Sequence, residues 1–214
     1  MSGDAPIFYS FRRCPYAMRA RMALAVSGTP VRLREVVLKD KPDEMLAASP
    51  KATVPVLIDG DRILEESLDV MRWALRQQDP EGWLDGAEDA RELVAENDGP
   101  FKHHLDRYKY ATRYDDADPA EHRAAGMAFL DKLETRLSRS AYLGGDRRGF
   151  ADIAIFPFVR QFRIADEAWF DAAPIPKVRR WLETLAGSDL FASVMEKYPA
   201  WKQSREEFAF PPGA

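Results

Sequence analysis

Cysteine is almost absent from this chain: Cys14 is the single one in 214 residues. One thiol excludes an intrachain disulfide and any zinc site built from several cysteines. Histidine is scarce as well, at His103, His104 and His122, and none stands in an H-E-x-x-H arrangement. Neighbouring helix positions point about 100° apart. His103 and His104 are therefore not expected to share an ion through one face, and no metal is expected. Basic charge is not in excess: 31 Lys and Arg face 35 Asp and Glu, a net charge of −4. That balance argues against nucleic acid or an anionic membrane as partner. No apolar run approaches the roughly 20 residues of a membrane helix. The polar opening, Met1 to Pro6, lacks the basic-then-apolar pattern of a secretion signal. A cytoplasmic location is the expectation.

What is present is ordinary globular material, 46% hydrophobic and 31% charged, in two stretches of different pattern. Residues 5–11 form an apolar-aromatic run of strand type, and residues 17–27 carry Met18, Met22 and Ala25 at helical spacing, stopped by Gly28 and Pro30. A second strand is predicted over 31–38 and a short helix over 42–48. Strands at 54–58 and 62–65 flank Asp59-Gly60-Asp61, a hairpin signal. A helix over 68–76 closes the stretch. The order is β-α-β-α-β-β-α. The first two strands should be parallel through a right-handed crossover and the last two antiparallel, in a mixed four-stranded sheet.

Residues 80–87 read as a linker. Beyond them the pattern is helical, over 88–111, 119–137, 150–164 and 176–186, with a short piece at 190–196. Gly99-Pro100 should break or kink the first of these, and Pro157 should bend the third. The reading is thus an α/β domain over 1–79, an all-helical domain over 88–207, and a proline-containing tail over 208–214 lying on the surface.

Cys14 carries the chemistry. It follows the first strand and precedes Pro15, a residue suited to the first helical position, so Cys14 falls at or beside a helix N-cap. The helix dipole and unpaired N–H groups there favour a thiolate, with Arg12 and Arg13 adding positive charge. A buried, inert cysteine is the bland alternative. Asp152, third in its helix, can bond back to the cap backbone as in a capping box, but Gly149 stands where the reciprocal hydroxyl would be.

Cys14-Pro15-Tyr16-Ala17 resembles the active-site turn of cysteine-type glutathione transferases, the omega-like and related bacterial groups. Val54-Pro55-Val56-Leu57 is similar to the family's V-P-V-L segment, whose proline is cis. Glu66-Ser67 resembles its glutamate–serine pair, Phe150-Ala151-Asp152-Ile153-Ala154 the start of a helix in its second domain, and the likeness runs on to the K-Y-P-A-W stretch ending at Trp201. The resemblance implies a thioredoxin-like first domain, a helical second domain and a homodimer. It implies glutathione as cosubstrate. The Val54 backbone beside Pro55 would pair with the cysteinyl part. Glu66 and Ser67 would hold the γ-glutamyl end, with Ser67 also able to cap its helix. Lys41, in K-D-K-P, would reach the glycine end, and Tyr16 could pack beside the thiol.

Ala17 stands where a dithiol enzyme has its second cysteine, so external glutathione must resolve any disulfide formed on Cys14. The expected activity is glutathione-dependent thiol transfer or deglutathionylation on a small disulfide or electrophilic substrate. Two rivals stand beside it: conjugation assisted by the hydroxyl of Tyr9 or Ser10, and a binding or regulatory module without catalysis. The resemblance also implies a second-substrate site between the domains, with Phe101, His104, Tyr108 and Trp169 as candidates for its walls, but an aromatic stripe at helical spacing is more often core or dimer surface.

Overall fold

Strand β1 (Ile7–Ser10), whose Phe8, Tyr9 and Ser10 are buried, is the middle strand of the sheet in this computed structural model, which describes residues 5–213. The polar opening residues Met1 to Asp4, and Ala214, lie outside the described residues. The chain continues through α1 (Pro15–Ser27), β2 (Val31–Glu35), α2 (Asp43–Ala48), β3 (Val56–Asp59), β4 (Arg62–Leu64) and α3 (Ser67–Gln77). β1 pairs parallel with β2 in the register Phe8–Leu33 and antiparallel with β3 in the register Phe8–Leu57. β3 and β4 form the hairpin, Asp59 opposite Arg62, with Gly60 at φ 59°, a region that favours glycine. α1 stops at Gly28, φ 65°, whose N–H bonds the Ala25 carbonyl.

The sheet has five strands rather than the predicted four. β5 (Phe208–Phe210) pairs antiparallel with the outer side of β2, in the order β4-β3-β1-β2-β5. The proposed surface tail is therefore in part an edge strand, with Phe210 buried opposite Val31. Charge complementarity holds this return segment: Arg34 donates to Glu207 at 2.7 Å, Arg32 to Glu207 at 3.2 Å and Arg205 to Glu44 at 2.5 Å. The Arg34 guanidinium also stacks 4.1 Å from the Trp201 ring centroid. Accordingly the chain divides into two compact units, one of residues up to Glu81 together with those from Asp189 on, the other Gly82–Ser188. Residues 189–207, read from sequence with the helical part, thus belong to the sheet unit.

The second unit is helical among the described residues: α4 (Arg91–Glu96), α5 (Lys102–Lys109), α6 (Pro119–Leu137), α7 (Phe150–Arg163), α8 (Glu167–Ala172) and α9 (Pro176–Ala186). Gly99-Pro100 falls in a π-helical turn, Asn97–Phe101, which joins α4 to α5. α6 and α9 begin at their prolines as predicted, and Asp118 caps α6 by accepting from Ala120 N at 2.8 Å. α8 was not predicted, although Asp166 caps it by accepting from Trp169 N at 3.0 Å. The linker-like stretch contains a short 3-10 turn at Trp83–Gly86, with Trp83 buried. No helix among the described residues is long and apolar enough to cross a membrane.

α7 is the core of this unit, buried from Phe150 through Val159 with Pro157 inside it. Phe162 stacks against Phe101 at 5.4 Å and Tyr108 at 4.9 Å, with Trp169 edge-on at 6.3 Å. Phe101, Tyr108 and Trp169 therefore all pack on the Phe162 ring, Phe101 buried and Tyr108 and Trp169 half-buried. Gly126 of α6 faces the same ring: a Cβ there would lie 2.6 Å from Phe162 Cε2. Gly126→Ala is expected to destabilise by about 1–2 kcal/mol, overpacking outweighing alanine's better helix propensity. Urea denaturation checks it, and a gain in stability would contradict the packing argument.

Candidate active site

Cys14 sits where the strand-to-helix turn was expected to put it. It is the N-cap of α1, with φ −76° and ψ 123°, and Pro15 is the first helical residue. Its N–H bonds the Phe11 carbonyl at 3.0 Å and its carbonyl accepts from Met18 N at 2.8 Å. The half-buried thiol donates to the Val54 carbonyl at 3.7 Å. The Val54–Pro55 peptide is cis. Val54, Val56, Tyr9, Val36 and Met45 form one apolar cluster against which Cys14 packs. Residues 40 positions apart in sequence thus meet at the sulfur.

The cation beneath this turn was not recognised in the sequence. Arg13 is exposed and stacks over Phe11, 5.5 Å from its ring centroid. Arg21, two turns into α1, is instead fully buried. Its guanidinium donates to Ser10 Oγ at 3.1 Å and to the Arg12 carbonyl at 2.5 Å, and lies 4.0 Å from Glu35. Glu35 in turn accepts from Arg12 N at 2.7 Å. Strand, turn and helix are thereby laced together around the residues preceding Cys14. Burial pulls the Arg21 pKa down to about 10 and pushes the Glu35 carboxyl up, each partly offset by the other. Cys14 is among the groups that favour the charged guanidinium; by reciprocity Arg21 favours the thiolate. A charged residue on a face of small and apolar neighbours, as in M-R-A-R-M-A, was the available signal.

Glu66 and Ser67 stand at the N-terminus of α3, though not as a serine cap. Glu66 occupies the N-cap position and Ser67 is the first helical residue. Ser67, buried, accepts from Arg19 Nε at 3.0 Å. The same Arg19 guanidinium lies 5.0 Å from the Tyr16 ring centroid, so Arg19 links Tyr16 of the cysteine turn to Ser67. The expected capping role fails because the hydroxyl is turned toward α1, which packs on α3. Exposed Glu66 pairs with Lys51, a residue the sequence reading passed over. Lys41 precedes α2, and its carbonyl accepts from Lys202 Nζ at 3.1 Å.

The hydroxyls of the rival reading serve the sheet. Tyr9 is fully buried and its OH accepts from Arg34 at 2.6 Å; burial raises its pKa. Ser10 is engaged by Arg21. In the helical unit, Asp152 makes the expected backward bond, accepting from Gly149 N at 2.9 Å. It also accepts from Leu143 N at 2.9 Å and Trp181 Nε1 at 2.7 Å.

Residues 8–82 match the family model "Glutathione S-transferase, N-terminal domain", and residues 92–184 match "Glutathione S-transferase, C-terminal domain". A probable glutathione S-transferase, parA, of Nicotiana tabacum is 26% identical over 199 residues, 88% of each chain. Among solved structures, poplar glutathione transferase F1 in a serine-to-cysteine variant superposes with TM-score 0.76 at 18% identity, covering 90% of this chain and 97% of that one. A Pseudomonas fluorescens glutathione transferase family member, solved with two glutathione bound, gives TM-score 0.75 at 18% identity over 90% and 93%. These structures share the fold: a thioredoxin-like α/β unit and a helical unit. With both domain types matched in order along most of its length, the chain belongs to the glutathione S-transferase superfamily.

Proposed function

We propose that this protein is a glutathione transferase whose Cys14 performs glutathione-dependent thiol transfer. The observation that carries this reading is the sulfur itself. It sits at a helix N-cap, half-buried, against the Val54 carbonyl and above a buried arginine. All three surroundings, the dipole, the cation and partial access, are those of a reactive thiolate.

Glutathione would lie along Val54 as an added strand rung. Its γ-glutamyl carboxylate would meet the N-terminus of α3 beside Ser67, with Arg19 behind, and its ammonium would meet Glu66. Lys51, now paired with Glu66, is well placed to neutralise the same end.

The cycle balances without an added oxidant or reductant. The Cys14 thiolate attacks the glutathione sulfur of a mixed disulfide, forming a Cys14–glutathione disulfide and expelling the substrate as a thiolate that takes up a proton. A second glutathione, as thiolate, attacks the glutathione sulfur of that disulfide. Oxidised glutathione leaves and the Cys14 thiolate returns. With Ala17 in place of a second cysteine, no intrachain thiol competes for this step.

Intact-mass analysis after exposure to oxidised glutathione tests the reading directly. One glutathione is expected on wild type, at Cys14, removed by excess reduced glutathione and absent from Cys14→Ala. A wild-type protein left unmodified under those conditions would overturn it.

A further inference from the structure

His103 and His104 are consecutive on α5, and one helix alone would point them apart. The packed neighbour changes this. His122, in the first turns of α6, lies against both: ring centroids are 5.1 Å apart for His103 and His104, 5.2 Å for His104 and His122, and 5.8 Å for His103 and His122. His104 Nδ1 and His122 Nδ1 are 2.9 Å apart, which requires one to donate and the other to accept. One ring nitrogen from each of the three lies within 4.8 Å of the others. A single helix face does not bring these rings together; the third ring comes from a different helix, 18 positions after His104.

We propose that His103, His104 and His122 form a three-imidazole binding site for a divalent late first-row transition-metal ion such as Zn²⁺, Co²⁺, Ni²⁺ or Cu²⁺. Imidazole nitrogen suits this group of ions, which bind it at about 2.0–2.1 Å, whereas Mg²⁺ and Ca²⁺ want oxygen. Two nitrogens on a tetrahedral ion at that range stand about 3.3 Å apart. The ion would replace the proton now shared by His104 and His122, opening that pair slightly. His103, exposed, would swing inward to complete the set, and water would take the fourth position.

One group opposes the site. Arg107 Nη1 lies 3.0 Å from His103 Nδ1, so the guanidinium competes for that imidazole and repels a cation. In the same position the guanidinium stacks over Tyr114, whose ring centroid is 4.4 Å from its Cζ. Asp106 and Glu121 are the nearby acids that act electrostatically on His103 and His104 respectively. Asp106 is itself paired with Lys102.

The test is titration of the tag-free, metal-stripped full-length protein with Co²⁺ alone. Visible absorption reads nitrogen coordination, and displacement by Zn²⁺ gives relative affinity. Wild type is expected to bind one Co²⁺ per chain. His122→Asn and His103→Gln should each weaken binding by about tenfold or more. Arg107→Ala should tighten it, and Cys14→Ala should leave it unchanged. His103 is exposed, so its variant remains informative if the His122 change disturbs the helices. Equal affinity in wild type and His103→Gln would overturn the proposal, as would Co²⁺ bands that vanish only with Cys14→Ala, or no saturable binding to wild type.

Discussion

Cys14→Ala is expected to lower glutathione-dependent reduction of a small mixed disulfide by about a thousandfold or more, the scale on which loss of a nucleophile acts. The helix cap leaves the substitution structurally mild. Cys14 contributes backbone bonds to Phe11 and Met18 that alanine can also make, and its side chain borders the apolar cluster and gives up only the long contact to the Val54 carbonyl. Circular dichroism and unfolding should therefore match wild type while turnover disappears. The hydroxyl-assisted alternative predicts the reverse ordering. It requires activity to survive in Cys14→Ala and to fall in Tyr9→Phe or Ser10→Ala. Tyr9 and Ser10 instead hold Arg34 and Arg21 inside the fold. Removing either hydroxyl is expected to cost stability, about 1 kcal/mol for one hydrogen bond, and to leave turnover within a small factor. Steady-state kinetics on the three variants separates the mechanisms, and retained turnover in Cys14→Ala would end the thiol-transfer reading.

Asp152→Ala is expected to be the most damaging substitution for stability. The carboxylate is fully buried and accepts from three donors: two backbone N–H groups and the Trp181 indole. Alanine would strand all three. An unmet buried donor costs about 1–3 kcal/mol, and relief from burying the charge returns part of it, leaving a net loss of about 4 kcal/mol. For a chain of this size that lowers the thermal midpoint by about 10 °C. Burial raises the Asp152 pKa despite the three donors. The folded protein thus binds this proton more tightly than the unfolded chain. The group's contribution to stability falls as pH rises from the unfolded value, about 3.9, through the raised folded one. The gap between wild type and Asp152→Ala should consequently widen on acidification. Scanning calorimetry at neutral and mildly acidic pH checks both; a midpoint shift below about 2 °C would show that the three donors find other partners.

Much of this architecture is legible in the sequence. Prolines 119 and 176 start their helices at the predicted residue, Gly28 ends α1, and Asp59-Gly60-Asp61 turns the hairpin. Each depends on φ restriction or on hydrogen bonding within a few residues, so the information is local. The position of Cys14 is local for the same reason, since a strand end followed by proline sets the cap.

Other features were decided by packing. Phe208-Ala209-Phe210 is too short and too close to prolines to read as a strand; it becomes one because β2 presents an open edge, 177 residues earlier at the Arg32–Ala209 rung. Ser67 reads as a cap, yet its hydroxyl goes to Arg19, because α1 against α3 buries a guanidinium that needs an acceptor. Arg21 and Glu35 look like surface charges in one dimension and are brought together beneath the cysteine turn only when β2 pairs with β1. The three histidines are separated by helical phase in sequence and gathered by the contact between α5 and α6. Local rules place the backbone of an element; which distant element closes over it determines the partners of its buried polar side chains, and here those partners surround the sulfur.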